Sequence, residues 1–309
     1  MSFDFWIALG GLFSGIVVGL TGMGGAAIVT PMLIFIFGVP PVATVSTDIV
    51  SSAIMKPVGA AVHLKRRTPH MRIVAWLCLG SIPGMVVGSL IFAQISTVAD
   101  GNDLLRRLVG FTLLVSVGLS VMRLRLKWFR NNDPHGSVSF TRRKRIIVML
   151  VGFFVGGLVG ITSVGSGTLI TASLIMLFPT MFPSRLVGTD LVQAVPMLIV
   201  GALLHLGLGE VNLTVLISLI AGQLPGAFIG ARISSRYNGQ SLRILLLVLI
   251  GAAGLALLGL TGWVVALITA AGAVVLGIPI VKEMLQDRDE QEHTIHPSEP
   301  ANEIARDRS

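Results

Sequence analysis

Residues 11–25 read GLFSGIVVGLTGMGG, and this glycine-dense stretch decides the fold because it interrupts an apolar run that extends from 5 to 37. One straight helix of that length, at 1.5 Å per residue, would exceed the ~30 Å hydrocarbon core of a membrane. Glycine weakens a helix because it loses more backbone freedom on ordering than other residues do. A second apolar run, 146–178, is interrupted in the same way at 162–167. Each run is therefore predicted to be a pair of short half-helices that meet at a glycine-rich break.

The composition places most of the chain in a membrane. Hydrophobic residues make up 53% and charged residues only 12% of the 309 residues, whereas a soluble domain carries roughly 25% charged residues. The net charge of +8 comes from basic residues grouped between apolar stretches, which is typical of cytoplasmic loops rather than of nucleic-acid binding. The single cysteine, Cys78, excludes an intramolecular disulfide and a multi-cysteine metal site. The chain is predicted to be an all-α polytopic integral membrane protein.

The second part of the chain repeats the first. Glycines and a threonine of the first break (Gly15, Gly19, Thr21 and Gly24) fall at one constant offset on Gly156, Gly160, Thr162 and Gly165. After one inserted residue, Thr47-Asp48, His63 and Pro83-Gly84 fall on Thr189-Asp190, His205 and Pro225-Gly226. Apolar sequence aligns easily by chance, but Asp, His and Pro-Gly in one register do not. Two homologous halves are therefore predicted.

The apolar stretches of about 20 residues outside the broken runs are predicted to span a membrane. They are 41–64, 73–95, 104–126, 186–208, 213–233, 242–260 and 263–281.

The positions of Lys and Arg favour one orientation of the halves. If each broken run crosses the membrane, basic residues divide about evenly between the two sides. If each run turns back on itself, the N-terminus lies outside and nearly all basic residues of the loops are cytoplasmic, as the positive-inside rule requires. We therefore predict inverted repeats, a recurring architecture of secondary transporters.

In this arrangement each half has a broken, re-entrant helix pair followed by three transmembrane helices, and the second half ends with an additional helix. The predicted divisions are a first transmembrane repeat at 1–127, a basic cytoplasmic linker at 128–144, a second repeat at 145–281 and a polar, disordered tail at 282–309.

An ordered set of motifs runs through the first half and returns in degraded form in the second. It comprises residues 11–25, Pro31, the loop 38–41, Thr47-Asp48 and G-x-x-P-G-x-x-x-G at 80–88. This set resembles the sulfite exporter TauE/SafE family of membrane permeases, over about residues 5–281. The resemblance implies transport of a small anion across the bacterial inner membrane: sulfite, a sulfonate or a related sulfur oxyanion. The second copy departs from the first, because Ser163 and Ser166 replace glycines and Leu198 stands where the first copy has Lys56.

The two breaks supply a candidate anion site. A helix N-terminus exposes unpaired N–H groups and carries about half a positive charge, so two such ends facing one cavity would hold an oxyanion. Alternatively, the glycines only permit close helix packing. The candidate substrate-binding residues of the breaks are Thr21, Gly22, Gly24, Gly25, Thr162, Ser163, Gly165 and Ser166, to which we add Gln223 beside Pro225.

The ionisable residues Asp48, Lys56 and Asp190 lie well inside apolar stretches. Asp48, Ser52 and Lys56 share one helix face because they are four residues apart. An isolated ammonium at the bilayer centre costs at least ~2.5–3.5 kcal/mol, so Lys56 either pairs with Asp48 or snorkels, or it binds the anionic substrate. Asp48 and its counterpart Asp190 either carry the coupling proton or cap the start of a helix.

The predicted function is a secondary transporter of a small anion, driven by an ion gradient, with protons as the coupling ion. The alternatives are a passive anion channel or a membrane subunit of a larger assembly. The sequence contains no G-x-x-x-x-G-K-[ST], HExxH or GxSxG motif, which disfavours ATP-driven transport and a membrane-embedded enzyme. The expected partners are the small anion and the bilayer, with no cofactor, no metal and no nucleic acid.

Overall fold

The computed structural model describes residues 3–21, 25–128, 140–208, 211–234, 240–270 and 272, which form α-helices with no strand among them. The helices are α1 (Phe5–Thr21), α2 (Ala26–Phe35), α3 (Pro41–Lys65), α4 (Met71–Ser96), α5 (Gly101–Trp128), α6 (Arg142–Thr162), α7 (Thr168–Leu177), α8 (Pro183–Gly207), α9 (Leu213–Ser234) and α10 (Gln240–Leu257). A further helix begins at residue 262, and its described residues are 262–270 and 272. The all-helical prediction is confirmed.

Five of the described helices are long and apolar enough to cross a membrane: Met71–Ser96, Gly101–Met122, Arg142–Thr162, Ser184–Gly207 and Leu213–Gly230. The prediction of a polytopic membrane protein is thereby confirmed. α3 has a similar length, but Asp48, Lys56 and several hydroxyl residues make it more polar. α6 begins with the basic residues 142–145, so the end of the predicted linker already belongs to this helix. The predicted tail, 282–309, lies outside the described residues.

Each broken run forms two helices that fold back on each other. In the first run, a Cβ added at Gly10 of α1 would lie 3.0 Å from the sulfur of Met32 in α2. In the second run, the ammonium of Lys144 at the start of α6 lies 5.1 Å from the ring centre of Phe178, which follows α7. The helix breaks therefore lie where the glycines predicted them. Gly22 and Gly24 of the first break lie outside the described residues.

α3 and α8, the equivalent helices of the two halves, pack side by side in opposite directions. Ser46, near the start of α3, lies 3.0 Å from Nδ1 of His205, near the end of α8. At the other end, a Cβ added at Gly188 of α8 would lie 3.0 Å from Nδ1 of His63 in α3. Inverted repeats require this antiparallel relation. The inversion itself stays a prediction, which the packing of these two helices supports.

Two pairs of helices join the halves through faces lined with glycine. α1 packs against α9, and α4 packs against α6. A Cβ added at Gly84 of α4 would lie 2.1 Å from the carbonyl oxygen of Phe153, and one added at Gly226 of α9 would lie 2.3 Å from that of Leu12. Only glycine permits two helix backbones to approach this closely. Since Gly84 and Gly226 are the two copies of the repeated Pro-Gly, the same duplicated feature forms both contacts.

We expect the connections between helices to alternate between the two sides of the membrane as inverted repeats require. In a Cys78→Ser background, single cysteines at the exposed positions Arg66 and Thr141 should react with a membrane-impermeant maleimide from the cytoplasmic side. Cysteines at the exposed positions Ala99 and Leu208 should react from the outside. Labelling intact cells and inverted vesicles measures this. Finding Leu208 on the same side as Arg66 would contradict the inversion, because both halves would then have one orientation.

Candidate functional site

The second break is a tight, buried reversal of the chain between α6 and α7. Ser163 caps α6 in the left-handed region with φ 61°, and its N–H donates to the carbonyl of Val159 over 2.8 Å. Gly165 has φ 111°, a conformation that strains any residue with a side chain. Its carbonyl accepts from the N–H of Leu169 in α7 over 3.0 Å. The reversal places two serine hydroxyls, Ser163 and Ser166, inside the protein.

Lys56 reaches this break from α3. Its side chain is only 5% exposed, and its ammonium donates a hydrogen bond to the hydroxyl of Ser166. The ammonium also interacts electrostatically with Asp190 and Asp48. The interpretation that Lys56 only snorkels to the membrane surface does not fit this buried position. One cation and two carboxylates thus form a polar cluster around the second break.

Each carboxylate of the cluster receives a hydrogen bond from the half-helix of its own half. Thr30 of α2 donates to Oδ2 of Asp48 over 3.2 Å, and Thr171 of α7 donates to Oδ2 of Asp190 over 3.4 Å. These pairs occupy equivalent positions in the repeat, so the fold duplicates the Thr–Asp hydrogen bond. Neither Asp lies in the first turn of its helix, since α3 begins at Pro41 and α8 at Pro183. The interpretation of these carboxylates as helix caps is therefore wrong.

The cluster is asymmetric although the fold is duplicated. Lys56, Ser163 and Ser166 correspond in the other copy to Leu198, Gly22 and Gly25. These three polar departures from the repeat lie together at the second break, where Lys56 contacts Ser166, and Thr30 contacts Ser163 over 3.0 Å. The sequence shows each departure separately, but only the packing of α3 and α2 against the second break brings them together.

The other predicted site residues lie in different surroundings. The hydroxyl of Thr162 donates within α6 to the carbonyl of Leu158 over 2.7 Å, so its hydrogen is already engaged. Gly25 precedes α2, and a Cβ there would lie 3.5 Å from the end of Met55, next to Lys56. Thr21 is the last residue of α1. Gly25 thus lies against α3, the helix that carries Lys56.

Two glutamines of the second half, Gln193 and Gln223, are buried outside the cluster, and only Gln223 was predicted from the sequence. Gln223 is buried, and its Oε1 has no hydrogen-bond partner among the described residues. Its counterpart in the first half, Ser81, donates to Oε1 of Gln193 over 3.2 Å. Gln193 corresponds in turn to Ser51, so at these positions the first half contributes two Ser and the second half two Gln. Gln193 was missed because nothing in the surrounding sequence marks it, whereas Gln223 lies beside the repeated Pro225 and Thr30 and Thr171 were detectable as a matching pair.

A basic surface cavity lies near the start of α8. It is lined by Pro69, His70, Met71, Arg72 and Arg185. The backbone N–H of His70 donates to the hydroxyl of Thr189, the residue before Asp190. Partial burial lowers the pKa of the His70 imidazole, and the neighbouring Arg185 and Arg72 lower it further. The two guanidinium groups therefore provide the positive charge of this cavity at neutral pH.

The fold and the site define a multi-pass α-helical membrane protein with a polar site at a helix break, the arrangement found in secondary transporters. Residues 7–257 match the sulfite exporter TauE/SafE family. The chain belongs to that family, and the resemblance inferred from the glycine-rich motifs is confirmed.

Similar proteins carry names of the same class. The chain is 34% identical over 256 residues, 82% of its length and 98% of the relative's, to a "Probable membrane transporter protein YjnA" of Bacillus subtilis (strain 168). It is 26% identical over 244 residues, 79% of the chain and 96% of the relative, to a "Probable membrane transporter protein YdhB" of the same strain. A "Probable membrane transporter protein" of Xylella fastidiosa (strain 9a5c) is 26% identical over 237 residues, 76% of the chain and 85% of the relative. No solved structure matches the chain. The chain is a membrane transporter, and its family is one of transporters rather than of enzymes.

Proposed function

We propose that the chain is a secondary transporter that carries a small anion together with protons across the bacterial inner membrane. The substrate class is sulfite, a sulfonate or a related organic anion, in keeping with the name of the family. The observation that carries the proposal is the hydrogen bond from buried Lys56 to Ser166 of the second break. An ammonium buried at this depth requires an anionic partner, and a substrate at the break would be one.

The charges of the cluster are the reason for proposing protons as the coupling ion. Lys56 contributes one positive charge, and ionised Asp48 and Asp190 contribute two negative charges, so the ionised cluster repels an anion. Protonation of one carboxylate makes the cluster neutral, and protonation of both leaves a net positive charge. Anion affinity should therefore rise as the pH falls, and anion and protons should move in the same direction.

The arrangement of the two halves supports alternating access of this site to the two sides. The cluster contains residues of both halves, since Lys56 and Asp48 come from α3 and Ser166 and Asp190 from the second half. Transporters with inverted repeats open alternately by rocking one repeat against the other around such a shared site. The cavity with Arg72 and Arg185 lies at one end of α8, where its positive potential would attract anions.

The proposal predicts saturable, gradient-driven anion flux in proteoliposomes. An acidic interior should drive efflux of loaded sulfite or methanesulfonate several-fold faster than equal pH on both sides, because protons leave with the anion. Radiolabelled methanesulfonate is the stricter probe, since its charge is constant between pH 5.5 and 8 and it does not cross lipid as a neutral acid. Protein-free liposomes are the control. Flux that rises linearly with concentration and ignores the pH gradient would instead favour a passive anion channel.

A further inference from the structure

Thr30 lies between the carboxylate of Asp48 and the second break. Its hydroxyl donates to Oδ2 of Asp48 over 3.2 Å and lies 3.0 Å from the hydroxyl of Ser163, in a contact in which either oxygen can be the donor. All three side chains are buried, at 1% exposure or less for Asp48 and Thr30 and 3% for Ser163. Because Ser163 belongs to the second half, this row of hydrogen bonds joins the two halves at the candidate anion site.

A hydroxyl group has only one hydrogen, which fixes the direction of the row when Asp48 is ionised. A carboxylate only accepts hydrogen bonds, so the hydrogen of Thr30 is directed at Oδ2. The contact between Thr30 and Ser163 then requires that Ser163 is the donor. In this state Ser163 has no hydrogen left for a ligand at the break.

Protonation of Asp48 reverses the row. Oδ1 of Asp48 is buried and has no hydrogen-bond partner among the described residues, so a proton there would lack an acceptor. A proton on Oδ2 can be donated to the oxygen of Thr30, which then donates its own hydrogen to Ser163. The hydrogen of Ser163 is released toward the break. Only the carboxyl O–H bond forms in this step, and the two hydroxyl groups rotate without exchanging protons.

We propose that Thr30 is a positioning residue that couples protonation of Asp48 to anion binding, by controlling whether Ser163 can donate to the anion. This inference rests on the proposed function, because it requires an anion at the second break. It also distinguishes the two carboxylates. Thr171 and Asp190 form the equivalent pair, but the residue that corresponds to Ser163 in the first break is Gly22, which has no hydroxyl.

Few ionisable groups face Asp48. Lys56 acts on its carboxylate from the same helix, and Lys56 is also attracted to Asp190 of α8. His205 of α8 bonds to Ser46 and to the carbonyl of Gly160. α2 and the break at 162–167 carry no ionisable side chain. The other helices packed on α3 carry ionisable residues only near their ends: Asp103, Arg106, Arg107, Arg123, Arg125 and Lys127 in α5, the residues 142–145 in α6, and Arg232 in α9.

The test compares anion affinity at pH 5.5 and pH 8 in the purified full-length protein in lipid nanodiscs. Methanesulfonate is the probe, because its charge does not change in this range. Sulfite is the second probe, and its own titration is the same for every variant. The wild type should bind more tightly at pH 5.5. Ser163→Gly should lose affinity only at pH 5.5, by about tenfold for one hydrogen bond to a charged group.

Thr30→Val should reduce the pH dependence by raising the affinity at pH 8 rather than by lowering the affinity at pH 5.5. Without the Thr30 hydroxyl, ionised Asp48 holds the hydrogen of Ser163 only through its direct interaction with that hydroxyl, so affinity at pH 8 should rise, by up to about tenfold. Thr30→Ser should restore the behaviour of the wild type. Thr171→Val is the matched comparison: it removes the equivalent hydroxyl from Asp190 where no serine follows, so it reports the loss of a Thr–Asp hydrogen bond alone, and its gain in affinity at pH 8 should be smaller than that of Thr30→Val.

The outcomes separate this inference from the proposed function. If the wild type binds neither probe, the proposed function fails and the inference fails with it. If the wild type binds, but Ser163→Gly loses affinity equally at both pH values or Thr30→Val keeps the full pH dependence, only the inference fails. If Thr30→Val misfolds, Ser163→Gly decides the test. This variant should fold, because Ser163 has φ 61° and glycine adopts this conformation more easily than serine does.

Discussion

Lys56→Met is expected to abolish anion transport and to weaken anion binding by at least roughly thirtyfold, as truncation of a buried, hydrogen-bonded charge does at interfaces. The physical reason is that the ammonium is the only cation that the described residues bring to the buried cluster, so its loss leaves two carboxylates facing the break. Equilibrium binding of methanesulfonate and its flux into proteoliposomes measure the effect. Leu198→Met is the matched control: it changes the equivalent position of α8 to the same residue and should behave as the wild type.

A double variant distinguishes the two interpretations of Lys56. If Lys56 only neutralises Asp48, combining Lys56→Met with Asp48→Asn should restore much of the activity, because no unpaired buried charge remains. If Lys56 binds the substrate, the double variant should stay inactive, since the anion still lacks its cation. We expect the inactive result. Wild-type affinity in Lys56→Met alone would remove Lys56 from the site.

Gly84→Leu is expected to prevent the chain from reaching its folded state, with a loss of about 3 kcal/mol or more, above the usual range for an overpacked core. The new Cβ would lie 2.1 Å from the carbonyl oxygen of Phe153. A backbone atom cannot rotate out of the way as a flexible side chain can, so α4 and α6 must separate. Thermal unfolding and size-exclusion elution of the detergent-solubilised protein measure the loss.

Gly118→Leu provides the control for Gly84→Leu. Gly118 lies in α5, and a Cβ there would have no atom within 4 Å. Both variants add the same side chain to a helix, so the difference between them reports the close contact alone. Equal stability of the two variants would show that the approach of α4 to α6 is not as close as described.

The sequence was sufficient for the helices, the breaks and the duplication. Glycine clusters mark where the backbone stops being helical, and this local effect is legible without a structure. The correspondence between Asp48 and Asp190 was equally detectable, because an ionisable residue that recurs at the same position of two apolar stretches stands out. Such signals depend on residue type and spacing along one chain segment.

The composition of the cluster was only partly predictable, since it depends on which helices meet. Lys56 was a candidate on account of its charge, but its partner Ser166 lies in the other half, and no spacing rule connects them. Asp48 interacts with Lys56 along one helix as expected, but its hydrogen-bond donor, Thr30, comes from another helix. Gln193 becomes notable only because Ser81 of α4 donates a hydrogen bond to it. These residues become neighbours only through long-range packing.

The contact between α1 and α9 has a consequence for synthesis in the cell. The glycine face of α1 fits against α9, whose contacting residues include Leu219 and Gln223. At about 5–20 residues per second, the ribosome needs on the order of 10 to 40 seconds to make the chain between them. During that time α1 sits in or at the membrane without its partner. A nascent chain that stalls after the first half would therefore leave a glycine-lined helix surface open to other membrane helices.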